Sequence, residues 1–373
     1  MQGALPYQAI QQLQAQGFLK GFGEGSVQPA SIDLSIGQEA YRIRGSALPL
    51  HGETVRNLLK TIVLFPHDLA LPLEPGESYL CKIKEEIKLP GSVYGYTNPK
   101  SSTGRNDIQV RLLADGVPRF DTIPRAFNGE LWLLVSSHHF LLKLTAGDKL
   151  AQLRLFDSDG RIGKEEMKEV YEKYKLLWDP EGNPINFAER KISDHDGSLI
   201  LSVDLATEDI VGYTAKPQGR SPVLIFSDRG HKPDDFFDPI ARPKDGMITL
   251  EKGRFYIFYT YEWSRVPTLF AAEMVAMDER SGEFRSHYAG YIDSGWGYGR
   301  NGEEKGWPLV LEVRPFDDNI IIRHKQLICK LRYENAQELP SKVYGETGSS
   351  YVRQKGALLS KHFRPVDTSS AII

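Results

Sequence analysis

Residues 31–34 read Ser-Ile-Asp-Leu and residues 202–205 read Ser-Val-Asp-Leu, which sets two aspartates, Asp33 and Asp204, 171 positions apart. The interval returns further along the chain. Phe-Asp-Thr-Ile-Pro at 120–124 has a counterpart in Tyr-Ile-Asp-Ser-Gly at 291–295, with Asp121 and Asp293 separated by 172, and Leu153-Arg154 is answered by Leu331-Arg332 at a separation of 178. One such echo is short enough to arise by chance among β segments. Three in the same order at nearly constant spacing specify a duplicated unit. Between them run apolar-polar alternations bounded by Gly and Pro, such as 77–89 (ESYLCKIKEEIKL) and 254–263 (RFYIFYTYEW), the pattern of half-buried strands. The chain is therefore expected to be mainly β and built from two similar domains.

Helical signals are few. The N-terminal stretch to Gly17 reads as a short amphipathic helix, and the charged run 164–178 places Met167, Val170, Tyr171 and Tyr174 at helix spacing. That run and the polar segment after it make a connector. The expected division is a first β domain over 1–162, a helical linker over 163–195 with the boundary near 190–196, and a second β domain over 196–373.

Composition narrows the function. With 373 residues, 40% hydrophobic, 25% charged and a net charge of −3, the chain lacks the basic excess that a nucleic-acid polymer or a charged membrane surface demands. No apolar run approaches the ~20 residues of a membrane span, and the start lacks the basic-then-apolar layout of a secretory signal. The two cysteines, Cys81 and Cys329, stand far apart, so a reducing cytoplasm is the expected location. The distinctive polar segment is Asn98–Arg105 (NPKSSTGR), where two serine hydroxyls lie between a lysine and an arginine just after a strand-like run. Read alone it is a turn with solvated charges or a cradle for an anion such as a phosphate chain.

The order QPASIDLSIG, PKSSTGR, the segment around Asp121, then AGDKLAQLRLF resembles the dCTP deaminase and dUTPase superfamily. That resemblance implies jelly-roll type β-barrels, here two dUTPase-like domains in tandem; members usually assemble as trimers with nucleotide sites between subunits, so a homo-oligomer is expected. The family's phosphate loop, Arg-Ser-Ser-x-x-Arg, stands here as Lys100, Ser101, Ser102, Thr103, Gly104 and Arg105. Lysine for arginine keeps the charge and loses the flat bidentate fork. In the second half, 287–296 (HYAGYIDSGW) followed by Leu309-Val310-Leu311-Glu312 is similar to the deaminase pattern that ends in the catalytic glutamate. By that likeness Glu312 is the catalytic carboxylate, Asp293 lies near the sugar, and Val310 and Leu311 flank the base. The closing segment 343–363 resembles the family's tail, matching Tyr344, Tyr351 and Gln354 to nucleotide contacts, while Ser350 stands where many members carry a phosphate-binding lysine.

Neither half is complete. Counting forward from Gly129, the place of the glutamate falls at about Leu134, which has no proton to move. The loop region of the second half, 271–282 (AAEMVAMDERSG), has no paired serines preceded by a base. The expectation is one shared site, with the phosphate loop supplied by one half and Glu312 by the other, within one chain or across two.

Hydrolytic deamination of cytosine needs a water at C4, a proton on N3 and a proton on the departing ammonia. Zinc deaminases hold their metal with His-x-Glu and Pro-Cys-x-x-Cys. His51-Gly52-Glu53 mimics the first part, but no Cys-x-x-Cys occurs, so no zinc is expected and one carboxylate must do the proton work. Shielding of Glu312 by Val310 and Leu311 would raise its pKa toward neutrality. Ser101 and a carbonyl near Ala289 are expected to orient the water, and His287 to support that segment. Asp293 either meets the sugar or caps its own turn. Magnesium is expected to arrive with the substrate triphosphate rather than at a protein site. The expected activity is dCTP to dUTP and ammonia, a hydrolase acting on the C–N bond of a cyclic amidine in pyrimidine deoxynucleotide biosynthesis. The alternatives are a dUTP pyrophosphatase or bifunctional enzyme, and a non-catalytic nucleotide-binding regulator.

Overall fold

The computed structural model describes residues 2–189, 196–277, 281, 284–286 and 288–365. The first half is a nearly closed barrel formed by one sheet, whose strands follow the order 108–114, 131–137, 78–83, 32–43, 149–156, 94–99 and 122–123. Ile32–Ile43 holds it together: its early residues pair with Lys149–Phe156 and its later ones with Ser78–Ile83. A twelve-residue strand can serve both neighbours only by bending, and the register shifts between Ile36 and Ala40 where it does so.

The second half repeats the plan with that strand cut in two. Leu199–Ser202 pairs with Leu327–Asn335, whereas Ile210–Ala215 pairs with Tyr256–Ser264. Asp204 turns the chain between them by accepting the Ala206 and Thr207 N–H groups at 2.9 and 3.0 Å. A second barrel of two sheets results. The duplication extends to single hydrogen bonds: the Tyr79 hydroxyl accepts the Glu74 N–H at 3.1 Å, and the Tyr256 hydroxyl accepts the Glu251 N–H at 2.8 Å. The tyrosines are matched landmarks. Tyr79 lies opposite Val135 and Tyr256 opposite Val313, so the next pairs are Leu80 with Leu134 and Ile257 with Glu312. Leu134 therefore stands at the first barrel's version of position 312, packed in the apolar cluster under the helix Val55–Ile62.

The two barrels share packing. Phe236, Phe237, Phe255, Ile257, Val310 and Phe363 of the second half join the core of the first. The strand Trp307–Pro315 is buried along its whole length, because one face meets the first barrel and the other fills the second core with Leu309, Leu311 and Val313.

The helix expected from the charged run covers Lys164–Tyr174, with Glu165 and Glu166 in its first turn and Lys173 in its last, as the helix dipole favours. It stops short of residue 178 because Lys175 adopts φ 51°, a left-handed cap, and Leu177–Trp178 pairs with Ser264 and Trp263. Met167, Val170 and Tyr171 bury in the second core. Most of the expected boundary near 190–196 lies outside the described residues. The N-terminal helix is Tyr7–Ala15 and buries Ile10 and Leu13. Both cysteines are free and buried, and no helix of the described residues is long and apolar enough to cross a membrane.

Candidate active site

A cleft between the barrels collects Lys100, Ser101, Ser102 and Arg105 from the first half and Ala289, Asp293, Val310, Glu312, Tyr344, Tyr351 and Gln354 from the second. Both groups belong to the same chain. The strand Tyr94–Pro99 delivers the loop: Pro99 ends its pairing with Ala151, Lys100 stays extended, and Ser101–Gly104 forms a single helical turn. The Ser102 hydroxyl is buried on the cleft wall with no hydrogen-bond partner among the described residues, a donor left for whatever enters.

Glu312 enters from Trp307–Pro315. Its Oε2 accepts the N–H groups of Tyr288 at 2.6 Å and Ala289 at 2.8 Å, and the side chain is 2% exposed. Burial raises its pKa to about 7, against the opposing pull of those two N–H groups and of Arg105, with the Asp107 charge adding to the rise. A carboxyl poised there can both take and return a proton near neutral pH. The carboxylate lies flat against the loop turn: a Cβ added at Gly104 would meet both of its oxygens at 2.5 Å. Glycine at 104 is thus explained by room for the carboxylate.

Three expected residues, Thr103, Gly104 and Leu311, do not line the cleft itself. Thr103 is fully buried and donates to the Leu150 carbonyl at 2.9 Å, away from the cleft. Gly104 faces Glu312 as described. Leu311 points into the second core because strand side chains alternate, leaving its neighbours Val310 and Glu312 at the cleft. His287 lies outside the described residues. Arg105 lines the cleft with its Nε unpartnered among the described residues, while its other two nitrogens are held by the tail, donating to the Leu358 carbonyl and to Gln354 Oε1, both at 2.9 Å, and the group stacks 3.8 Å over the Tyr351 ring. The tail is held in turn, since Gln354 donates to the Pro308 carbonyl at 2.6 Å and the Tyr344 ring lies 4.9 Å from that of Trp296.

Sequence reasoning missed several groups. Asp33 was visible as a repeat marker but not as a site residue. It is 4% exposed and pairs with Lys100, and with Lys149 at 3.6 Å. Lys361 joins this cluster; burial, with the charges of Lys100 and Arg229 beside it, lowers its pKa to about 8. Arg154, the other repeat marker, is fully buried and crosses the junction, reaching Asp293 at 3.4 Å, Glu334 at 3.2 Å and the Ala272 carbonyl at 3.0 Å. Burial raises the Asp293 pKa, with Arg154 and Lys100 opposing. The Leu-Arg echo was the available signal for Arg154.

Fold and cleft define a class: a protein of tandem dUTPase-like barrels with a cleft at their junction. Residues 1–159 match the profile of the "2'-deoxycytidine 5'-triphosphate deaminase (DCD) N-terminal domain" and residues 164–363 that of the corresponding C-terminal domain. The chain belongs to the dCTP deaminase family. A crystal structure of 2'-deoxycytidine 5'-triphosphate deaminase from Agrobacterium tumefaciens superposes with a TM-score of 0.83 at 32% identity, covering 93% of this chain and 99% of that one. A "dCTP deaminase, dUMP-forming" from Parafrankia sp. is 32% identical over 141 residues, 37% of this chain and 67% of the relative. A "Probable deoxyuridine 5'-triphosphate nucleotidohydrolase" from Aeropyrum pernix is 28% identical over 146 residues, 39% of this chain and 85% of the relative.

Proposed function

We propose that this chain hydrolyses dCTP to dUTP and ammonia. The observation that carries the reading is the buried carboxyl of Glu312, raised to about 7, set against the Ser101–Gly104 turn contributed by the other barrel. In this reading Lys100, Lys149 and Lys361 meet the triphosphate, the Ser102 hydroxyl donates into the cleft, and Asp293 and Tyr344 flank the nucleoside. Glu312 takes a proton from a water oriented by Ser101 and the Ala289 carbonyl as that water adds to C4, and passes the proton to N3. It then takes the proton of the new hydroxyl and delivers it to the amino group, which leaves as ammonia with C4 now a carbonyl. General acid/base work of this kind supplies ~10²–10⁴-fold, and fixed orientation supplies the rest. Magnesium enters as part of the substrate, carried by phosphate oxygens and water. Asp33, the carboxylate beside the loop, is already tied to two lysines.

Incubation of the purified chain with dCTP and Mg²⁺, followed by nucleotide chromatography and an ammonia assay, tests the reading. Equal amounts of dUTP and ammonia are expected, with Glu312→Gln abolishing both while retaining dCTP binding. Binding with no turnover in the unmutated chain would sink it in favour of a regulator. The name of the Parafrankia relative motivates a second reading, in which dUMP and pyrophosphate replace dUTP among the products.

A further inference from the structure

Behind the catalytic carboxyl lies a polar knot that the reaction scheme leaves unused. Its centre is Asp107, fully buried, at φ 57° three residues after the loop turn. Its Oδ1 accepts the Tyr288 hydroxyl at 2.9 Å; its Oδ2 meets Arg314 and, at 2.5 Å, His139 Nδ1. Arg314 Nε donates to the same Tyr288 hydroxyl at 3.1 Å. Asp107 and His139 belong to the first barrel, Tyr288 and Arg314 to the second.

We propose that Asp107 is a positioning residue for the catalytic carboxyl, acting through Tyr288. The Tyr288 side chain is tied to the first barrel by Asp107, while its backbone N–H and that of Ala289 hold Glu312 Oε2. The next residue repeats the tie, since the Gly290 N–H donates to Asn98 Oδ1 of the first barrel at 2.7 Å. The short segment 288–290 is thus pinned to one barrel by side chains and grips the acid/base group of the other with its backbone. A displacement of ~1 Å in such a support costs ~10²-fold in rate. Asp107 also adds its charge to the surroundings of Glu312, which include Arg105 from the loop, Arg314 from the same strand, Tyr288, and His138 and His139 behind Asp107. Burying a carboxylate with three donors at the barrel junction is costly unless every donor stays in place, so the knot also registers correct docking of the barrels.

This inference rests on Glu312 being the acid/base group, and the tests keep the two apart. Tyr288→Phe removes one hydroxyl and no charge. It is expected to lower kcat for ammonia release by ~10-fold or more with KM for dCTP within ~2-fold. Asp107→Asn is expected to do the same and, by deleting a negative charge near Glu312, to move the acidic limb of the kcat/KM profile to lower pH. If Glu312→Gln is inactive but Tyr288→Phe keeps the parental kcat, the positioning role is wrong and the proposed function stands. If Glu312→Gln is active, the proposed function fails first. Should Asp107→Asn not fold, Tyr288→Phe decides the matter alone.

Discussion

Replacing Glu312 by Gln should make the protein inactive and, above neutral pH, more stable. The folded-state pKa of this carboxyl is raised from 4.5 to about 7 by burial. A raised carboxyl favours the folded state while protonated. Its contribution is intact below the unfolded value and is lost as pH climbs through the folded one, where the native state must carry a buried charge that the unfolded chain carries in water. At ~1.4 kcal/mol per unit, the shift amounts to roughly 3 kcal/mol, fully felt above pH 7. Glutamine is uncharged at every pH, and its carbonyl can still accept the Tyr288 and Ala289 N–H groups, so it escapes the penalty and forfeits only the charge-assisted part of those bonds. Urea unfolding of both proteins at about pH 5 and about pH 8.5 reads this directly. The variant should gain on the parent by ~2 kcal/mol or more between the two pH values. An equal difference at both, or a variant that loses ground at high pH, would refute the claim that this carboxyl is held at the expense of stability.

Leu134→Glu places a carboxyl at the matching position of the first barrel, where it meets only the apolar cluster under Val55–Ile62; a loss of ~3 kcal/mol or more by urea unfolding and no added ammonia release are expected. Arg154→Met leaves Asp293 and Glu334 buried and unpaired at the junction, at a cost of ~3–5 kcal/mol seen as a lowered unfolding midpoint. Lys361→Met should raise KM for dCTP with little change in kcat. In the parent, KM should climb as pH passes about 8, where Lys361 gives up its proton, and that climb should vanish in the variant.

What the sequence disclosed was whatever repeats or alternates. The echoes foretold two barrels of one plan, yet strand register keeps only the Leu-Arg pair at 154 and 332 in step, matching Asp33 to Ile200 rather than Asp204 and Asp121 to Gly290 rather than Asp293; counting from Gly129 reached Leu134, the residue that the same register sets against Glu312. The loop and the glutamate were legible as motifs, and the structure brings them into one cleft of one chain. Hidden from the sequence were contacts between residues far apart along it. Nothing local marks Tyr288 or Arg314 as partners of Asp107, 181 and 207 positions away. The two bonds of Arg105 to the tail were equally hidden, since Gln354 and the Leu358 carbonyl lie 249 and 253 residues downstream. The helix from 164 was read past its end because Leu176 and Leu177 continue an apolar stripe, whereas the left-handed Lys175 turns the chain into a strand.

The placement of both half-sites on a single polypeptide has an evolutionary consequence. In a ring of identical subunits, one stretch of gene must satisfy every demand of the site, so a change that sharpens one role is imposed on all the others. Here position 134 can carry a leucine for a hydrophobic cluster while the matching position 312 carries a carboxyl, because translation delivers one of each in every molecule. Specialisation of each copy is thereby released from symmetry, and the seam between them becomes the only surface on which the two lineages must continue to agree.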